Sequence, residues 1–229
     1  MIIKGLEKQT VIDYPGKLAC TVFSFGCNFR CGYCHNPELI VDDGRSEIRL
    51  DEILKFLKER KGFLDGVCIT GGEPTLNKDL PDFISKIKKM GFSIKLDTNG
   101  TNPEMLEELI NRKFVDYIAM DIKAPLELYE KVTNTDVNKE DIQKSIDLIR
   151  NFGKYEFRIT VVPGLFDENQ AKKIGEWLKG SDKFFIQQFR GIKNLDKEFT
   201  GKKSFSKEEL EVFCNIMKPF FKSCKIRGT

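Results

Sequence analysis

The 229-residue sequence has no uninterrupted apolar run approaching the ~18 residues that a membrane span requires. It also lacks the apolar core of a secretory leader, since Lys4, Glu7 and Lys8 interrupt the segment from Met1 to Val11. Charge of one sign is not in excess: 38 basic and 35 acidic side chains leave +3, without the basic stripe of a dedicated nucleic-acid binder. Eighteen glycines and eight prolines are too few for low-complexity disorder. Histidine occurs once, as His35. The seven cysteines are odd in number, so a closed disulfide framework cannot use them all. These absences predict a soluble cytoplasmic protein that engages neither membrane nor nucleic acid. With 40% hydrophobic residues and no linker, charge block or repeat, one domain over residues 1–229 is expected.

Short β-prone runs alternate with longer amphipathic ones. The former cover residues 18–25, 66–70, 93–98, 117–123, 155–162, 184–189 and 224–227, most of them rich in Ile, Val, Phe and Leu as buried strands are. Helical spacing marks residues 51–60, 80–90, 103–112, 139–152, 168–179 and 206–221. Asn102 before Pro103 has the form of an N-terminal cap, and Ser206 with Glu209 that of a capping box. Strand–helix alternation implies an α/β fold with a parallel sheet and outer helices. A full β/α barrel takes ~250 residues, so about six units point to an incomplete (β/α)6 TIM-type barrel, with an open doubly wound sheet as the competing architecture. Either places functional groups at the C-terminal ends of the strands.

The first β-prone run leads directly into Gly26-Cys27-Asn28-Phe29-Arg30-Cys31-Gly32-Tyr33-Cys34-His35-Asn36-Pro37. Three cysteines at C-x3-C-x2-C spacing, without an export signal, point to metal or redox chemistry. Thiolates in close sequence hold iron–sulfur clusters, usually four to a cluster. Three would leave one iron open, and an open position separates a reactive metal site from a structural one. Two other readings stand beside this: a core helix, which Gly32 and the polar neighbours disfavour, and a zinc site adding His35, which strains adjacent ligands.

The loop resembles the signature of the radical S-adenosylmethionine (SAM) enzymes. Its extended form Cys-Asn-Phe-Arg-Cys-Gly-Tyr-Cys-His-Asn-Pro, with Asp13-Tyr14-Pro15-Gly16 before it, is similar to the glycyl-radical-enzyme activating branch. The resemblance spans nearly the whole chain. It implies one 4Fe–4S cluster on Cys27, Cys31 and Cys34, with SAM chelated at the unique iron through its amino and carboxylate groups. One-electron reduction would cleave the sulfonium into methionine and a 5′-deoxyadenosyl radical, which takes hydrogen from a glycine Cα of a partner glycyl-radical enzyme. That partner would be an anaerobic ribonucleotide reductase or a formate-lyase-like protein. A ferredoxin or flavodoxin-type reductant, an oxidoreductase classification and an anaerobic setting follow.

The resemblance also implies site residues. Tyr33, Cys34 and His35 would lie beside the SAM-binding iron. Gly71, Gly72 and Glu73, in a GGEP string that is otherwise an ordinary turn, would hold the SAM amino group. Asp97 and Thr98, in an Asp-Thr-Asn-Gly turn, would bind a monovalent cation near the SAM carboxylate. Asp121, Ile122 and Lys123 would face SAM and the cation; outside the family, Asp121 and Lys123 would be a plain ion pair. Arg158 would meet a carboxylate or a substrate group, and Arg190 stands where longer activases often carry His. Cys20 and Cys68 read as core thiols, and Cys214 and Cys224 as core or surface residues. Two further readings are a radical SAM enzyme acting on a small molecule or an RNA nucleobase, and a zinc-stabilised binding module.

Overall fold

All seven β-prone runs become strands. The computed structural model describes residues 1–228. Its order is β1 (Ile3–Thr10), β2 (Ala19–Ser24), α1 (Leu50–Glu59), β3 (Gly66–Gly71), α2 (Leu80–Lys89), β4 (Ser93–Thr98), α3 (Pro103–Asn111), β5 (Tyr117–Asp121), α4 (Tyr129–Thr133), α5 (Lys139–Phe152), β6 (Tyr155–Val161), α6 (Glu168–Trp177), β7 (Lys183–Gln188), α7 (Lys207–Met217) and β8 (Ser223–Arg227). The sheet has eight strands in sequence order, with β1 and β8 at its ends. This is the alternation of an incomplete β/α barrel. β1 was not expected: it pairs antiparallel with β2 and carries a partly exposed, polar sequence. An edge strand needs no continuous apolar run, so periodicity does not reveal it.

The residues cluster into two compact units. The first comprises Met1–Asn28, Glu38–Ala119 and Glu140–Lys154; the second comprises Phe29–Pro37, Met120–Lys139 and the chain from Tyr155.

In the first unit β2, β3 and β4 run parallel, with Thr21 opposite Cys68 and Cys68 opposite Lys95. Helices cover the sheet because their apolar residues recur at helical spacing: Ile53 and Leu57 on α1, Phe83, Ile84 and Ile87 on α2, Leu106 and Leu109 on α3 are all buried. Each such side chain stabilises the fold by ~1.5–3 kcal/mol relative to exposure. Asn102 caps α3, accepting from the Met105 amide at 3.1 Å. The Tyr14 ring closes the N-terminal end of these strands against Ala19 and Tyr117.

In the second unit β6, β7 and β8 run parallel. Phe184 of β7 stacks on Phe221 with centroids 4.6 Å apart, and Phe166 meets Phe213 of α7 edge-on at 5.0 Å. The capping box at Ser206 and Glu209 is present in both directions. Cys20 and Cys68 of the first unit are buried, as are Cys214 and Cys224 of the second. No helix is long and apolar enough to cross a membrane among the described residues.

Candidate functional site

The first unit joins three loops at the C-terminal ends of β2, β3 and β4. The Gly72 amide donates to the Ser24 carbonyl at 2.9 Å, and the Glu73 amide to the Gly26 carbonyl at 2.7 Å. Backbones approach so closely that a Cβ on Gly72 would lie 2.0 Å from the Gly26 oxygen. Gly71 has φ +123, and a Cβ there would meet the Ser24 backbone at 2.3 Å. Both glycines are therefore required to stitch the GGEP turn to the residue preceding Cys27.

Glu73 is fully buried, and its carboxylate is encircled. Oε1 accepts from the Thr75 amide (3.1 Å), the Thr75 hydroxyl (2.6 Å) and the Thr98 hydroxyl (2.8 Å), and Oε2 accepts from the Asn99 amide (2.6 Å). Burial raises its pKa, and these donors pull against that rise. The structure thus brings together Gly71, Gly72, Glu73 and Thr98. It adds Asn99, which the resemblance does not assign to the site. The Asn99 side-chain amide donates to Asn28 Oδ1 at 2.9 Å and lies 4.0 Å from Cys27 Sγ. Ser145 of α5 supports the same turn by donating to the Gly100 carbonyl at 2.7 Å. Asp97 has other partners within this unit: its Oδ1 accepts from Lys95 Nζ, with Cys68 Sγ at 3.8 Å. The alternation of Lys95 with Asp97 was the available signal for that pair.

The second unit holds the rest of the cysteine loop. The Cys34 amide donates to the Cys31 carbonyl at 3.0 Å, forming a turn. The segment after β7 grips it through backbone groups: the Leu195 amide to Cys34 O (2.9 Å) and the Asp196 amide to Gly32 O (2.8 Å). Asn194 Nδ2 donates to the Tyr33 carbonyl at 2.9 Å. Gly32 leaves no room for a side chain, since a Cβ would meet Phe199 Cε2 at 2.8 Å. Cys31 and Tyr33 are buried, whereas Cys34 is half-buried and His35 exposed.

At the end of β5, the Asp121 carboxylate accepts from Lys123 Nζ at 3.2 Å and from Arg158 Nε. Burial pushes the Asp121 carboxyl up, but the charges of Arg158 and Lys123 outweigh it and hold the group well below the usual carboxylate range. For Lys123 burial acts downward, and the negative side of Asp121 prevails and raises it. Burial raises the Cys31 thiol, with Lys123 pulling the other way. Ile122 is wholly buried and contributes its amide to the Arg158 carbonyl at 2.8 Å. Arg190 is exposed, and its carbonyl lies 3.3 Å from Asn194 Nδ2.

The donor chemistry fits an iron–sulfur cluster: Cys27, Cys31 and Cys34 form no disulfide and lie in one short loop after β2. Among the described residues, no three His, Cys, Asp or Glu side chains form a group able to hold a single metal ion. The model of the radical SAM superfamily matches residues 21–172. A protein named "Putative glycyl-radical enzyme activating enzyme MJ1227", from Methanocaldococcus jannaschii, is 35% identical over 99% of this chain and 95% of its own length. The pyruvate formate-lyase-activating enzyme of Clostridium pasteurianum is 31% identical over 77% of this chain and 76% of its own. Among solved structures, Streptococcus suis SuiB bound to S-adenosylmethionine aligns with 90% of this chain at TM-score 0.68 and 17% identity, and this chain spans 49% of SuiB. A domain of a pyruvate-formate lyase-activating enzyme from Bacteroides vulgatus aligns with 71% of this chain and 99% of its own, at TM-score 0.57 and 20% identity. These two share the fold, and the sequence relatives carry the affiliation. The chain belongs to the radical SAM superfamily, among the glycyl-radical enzyme activating enzymes, a family that implies a 4Fe–4S cluster and SAM.

Proposed function

We propose that this protein is an oxidoreductase that activates a glycyl-radical enzyme by abstracting hydrogen from a glycine Cα of that partner. The supporting observation is the C-x3-C-x2-C loop at the C-terminal end of β2, with the GGEP turn stitched to the residue just before it by the Glu73–Gly26 hydrogen bond. Cys27, Cys31 and Cys34 would hold the cluster. When bound, the cluster and SAM supply the one-electron and hydrogen-abstracting chemistry, as cofactors do.

The protein's own groups bind and orient. Gly71 and Gly72 let the GGEP turn close onto the Ser24 and Gly26 backbone beside Cys27, and that turn would meet the SAM amino group. Glu73 and Thr98 fix that backbone from beneath. In the second unit, Lys123 and Arg158 offer positive charge to a carboxylate or ribose, and Asp121 holds both in place. Tyr33 and Phe199 meet edge-on at 6.3 Å and screen the buried side of the loop. A ferredoxin or flavodoxin-type reductant and a cytoplasmic, anaerobic setting complete the proposal.

The test is anaerobic purification followed by iron and acid-labile sulfide analysis, then incubation with SAM, reductant and candidate partners. We expect iron with sulfide, reductive SAM cleavage and a glycyl signal by electron paramagnetic resonance. Cys31→Ala should lose the sulfide-bound iron and SAM cleavage together. Zinc without sulfide, or undiminished cleavage in that variant, would refute the proposal.

A further inference from the structure

Both carboxylates that the resemblance assigns to a monovalent cation already carry cationic side chains. In the first unit Lys95 and Asp97 stand two residues apart on β4, on one face by the period of a strand. Lys95 is 1% exposed, and its Nζ donates to Asp97 Oδ1. Cys68, opposite Lys95 in the β3–β4 ladder, completes the group, with its Sγ 3.8 Å from both Nζ and Oδ1. In the second unit, taken by itself, Asp121 is held by Lys123 and Arg158.

An ammonium is buried this deeply only when a carboxylate pairs with it. A metal cation entering on Asp97 would meet repulsion from Lys95, or would displace it and leave a buried charge without its carboxylate. The Asp97 group therefore does not fit an added cation.

We propose that Lys95 is a resident cation: beside Asp97 its ammonium takes the place of a bound K⁺ or Na⁺, so that this chain binds SAM without a monovalent metal ion. This rests on the reading of the neighbouring loops as a SAM site. In the proposal Lys95 is a positioning residue that acts through Asp97.

The experiment measures SAM affinity of the cluster-loaded protein at fixed ionic strength in tetramethylammonium, K⁺ or Na⁺ chloride. The wild-type affinity should be the same in all three. Lys95→Met should bind about tenfold more weakly in tetramethylammonium, within the usual range of coupling between linked sites, and recover in K⁺ or Na⁺. Lys95→Arg should behave as wild type. Thermal unfolding of the cluster-free chain gives a readout that does not need SAM: only Lys95→Met should gain stability when K⁺ or Na⁺ replaces tetramethylammonium. If that variant does not fold, crystals of the wild type soaked in Tl⁺ decide, with no anomalous peak expected at Asp97.

A wild-type affinity that collapses without K⁺ or Na⁺, a Tl⁺ peak on Asp97, or Lys95→Met binding SAM normally in tetramethylammonium would each overturn the inference. Absence of SAM binding in every salt would instead sink the functional reading, while the unfolding and Tl⁺ measurements still judge Lys95.

Discussion

Four donors converge on the Glu73 carboxylate, which offers roughly four lone-pair sites. The carboxylate is thereby engaged within the protein. Glu73→Gln puts an amide hydrogen among donors and leaves at least one of them unpaired. It should cost about 1–3 kcal/mol by urea denaturation of the cluster-free chain. Gly72→Ala should cost at least as much, because its Cβ would overlap the Gly26 carbonyl. Asp121 makes a prediction in pH. Its folded pKa is lowered, because the charges of Arg158 and Lys123 overcome burial. A lowered carboxyl adds stability above its unfolded value of about 4 and loses it as pH falls from there toward the folded value. The stability of Asp121→Asn should therefore change less with pH than that of wild type below about pH 4, and a parallel acid limb would contradict the pairing.

At the scale of elements, three strands of the second unit share one ion pair. Glu156 of β6 is fully buried and accepts from the Nη1 and Nη2 groups of Arg227 on β8. Between them the Arg227 guanidinium lies over the Phe185 ring of β7, 3.3 Å from its centroid. Arg227→Met keeps much of the stem but takes the guanidinium away from the buried Glu156 carboxylate, and should cost about 3 kcal/mol in chemical denaturation. Replacement of both residues by apolar ones should recover much of that. The helices are easier to read than this cross-strand pair. Pro103 after Asn102 and the Ser206–Glu209 box announce their helix starts in four-residue strings, because capping is local chemistry. The short α4 carries no comparable signal, with no side-chain cap at its start.

For the whole molecule, burial sorts the seven cysteines into two classes. Cys20 and Cys68 have no exposed surface, and burial pushes the Cys20 thiol up to about 12. Cys27 and Cys34 are partly exposed. With iodoacetamide at pH ~8, the cluster-free chain should be labelled at Cys27 and Cys34 well before Cys20 or Cys68, because the reagent reaches only exposed sulfur. Peptide mass mapping checks the order, and early labelling of Cys20 would contradict the burial. Seven of the eight strands were legible from composition, since buried parallel strands must be apolar on both faces. β1 was not, because its neighbour β2 supplies the apolar surface and Gly5 packs on Phe23.

The sequence by itself determined the family and the loop of three cysteines, because a ligand spacing within eight residues is set by covalent chain length alone. It also determined which strand ends carry candidate groups, since alternation and turn chemistry act over a few residues. Only the tertiary structure decided which polar groups answer one another. Glu73 meets Thr98 and Asn99 across 25 and 26 residues, and the loop after β7 grips the cysteine loop across 161 residues at Asn194 and Tyr33. Such partners are chosen by the need to satisfy buried hydrogen bonds in three dimensions, a condition that no short stretch of sequence records.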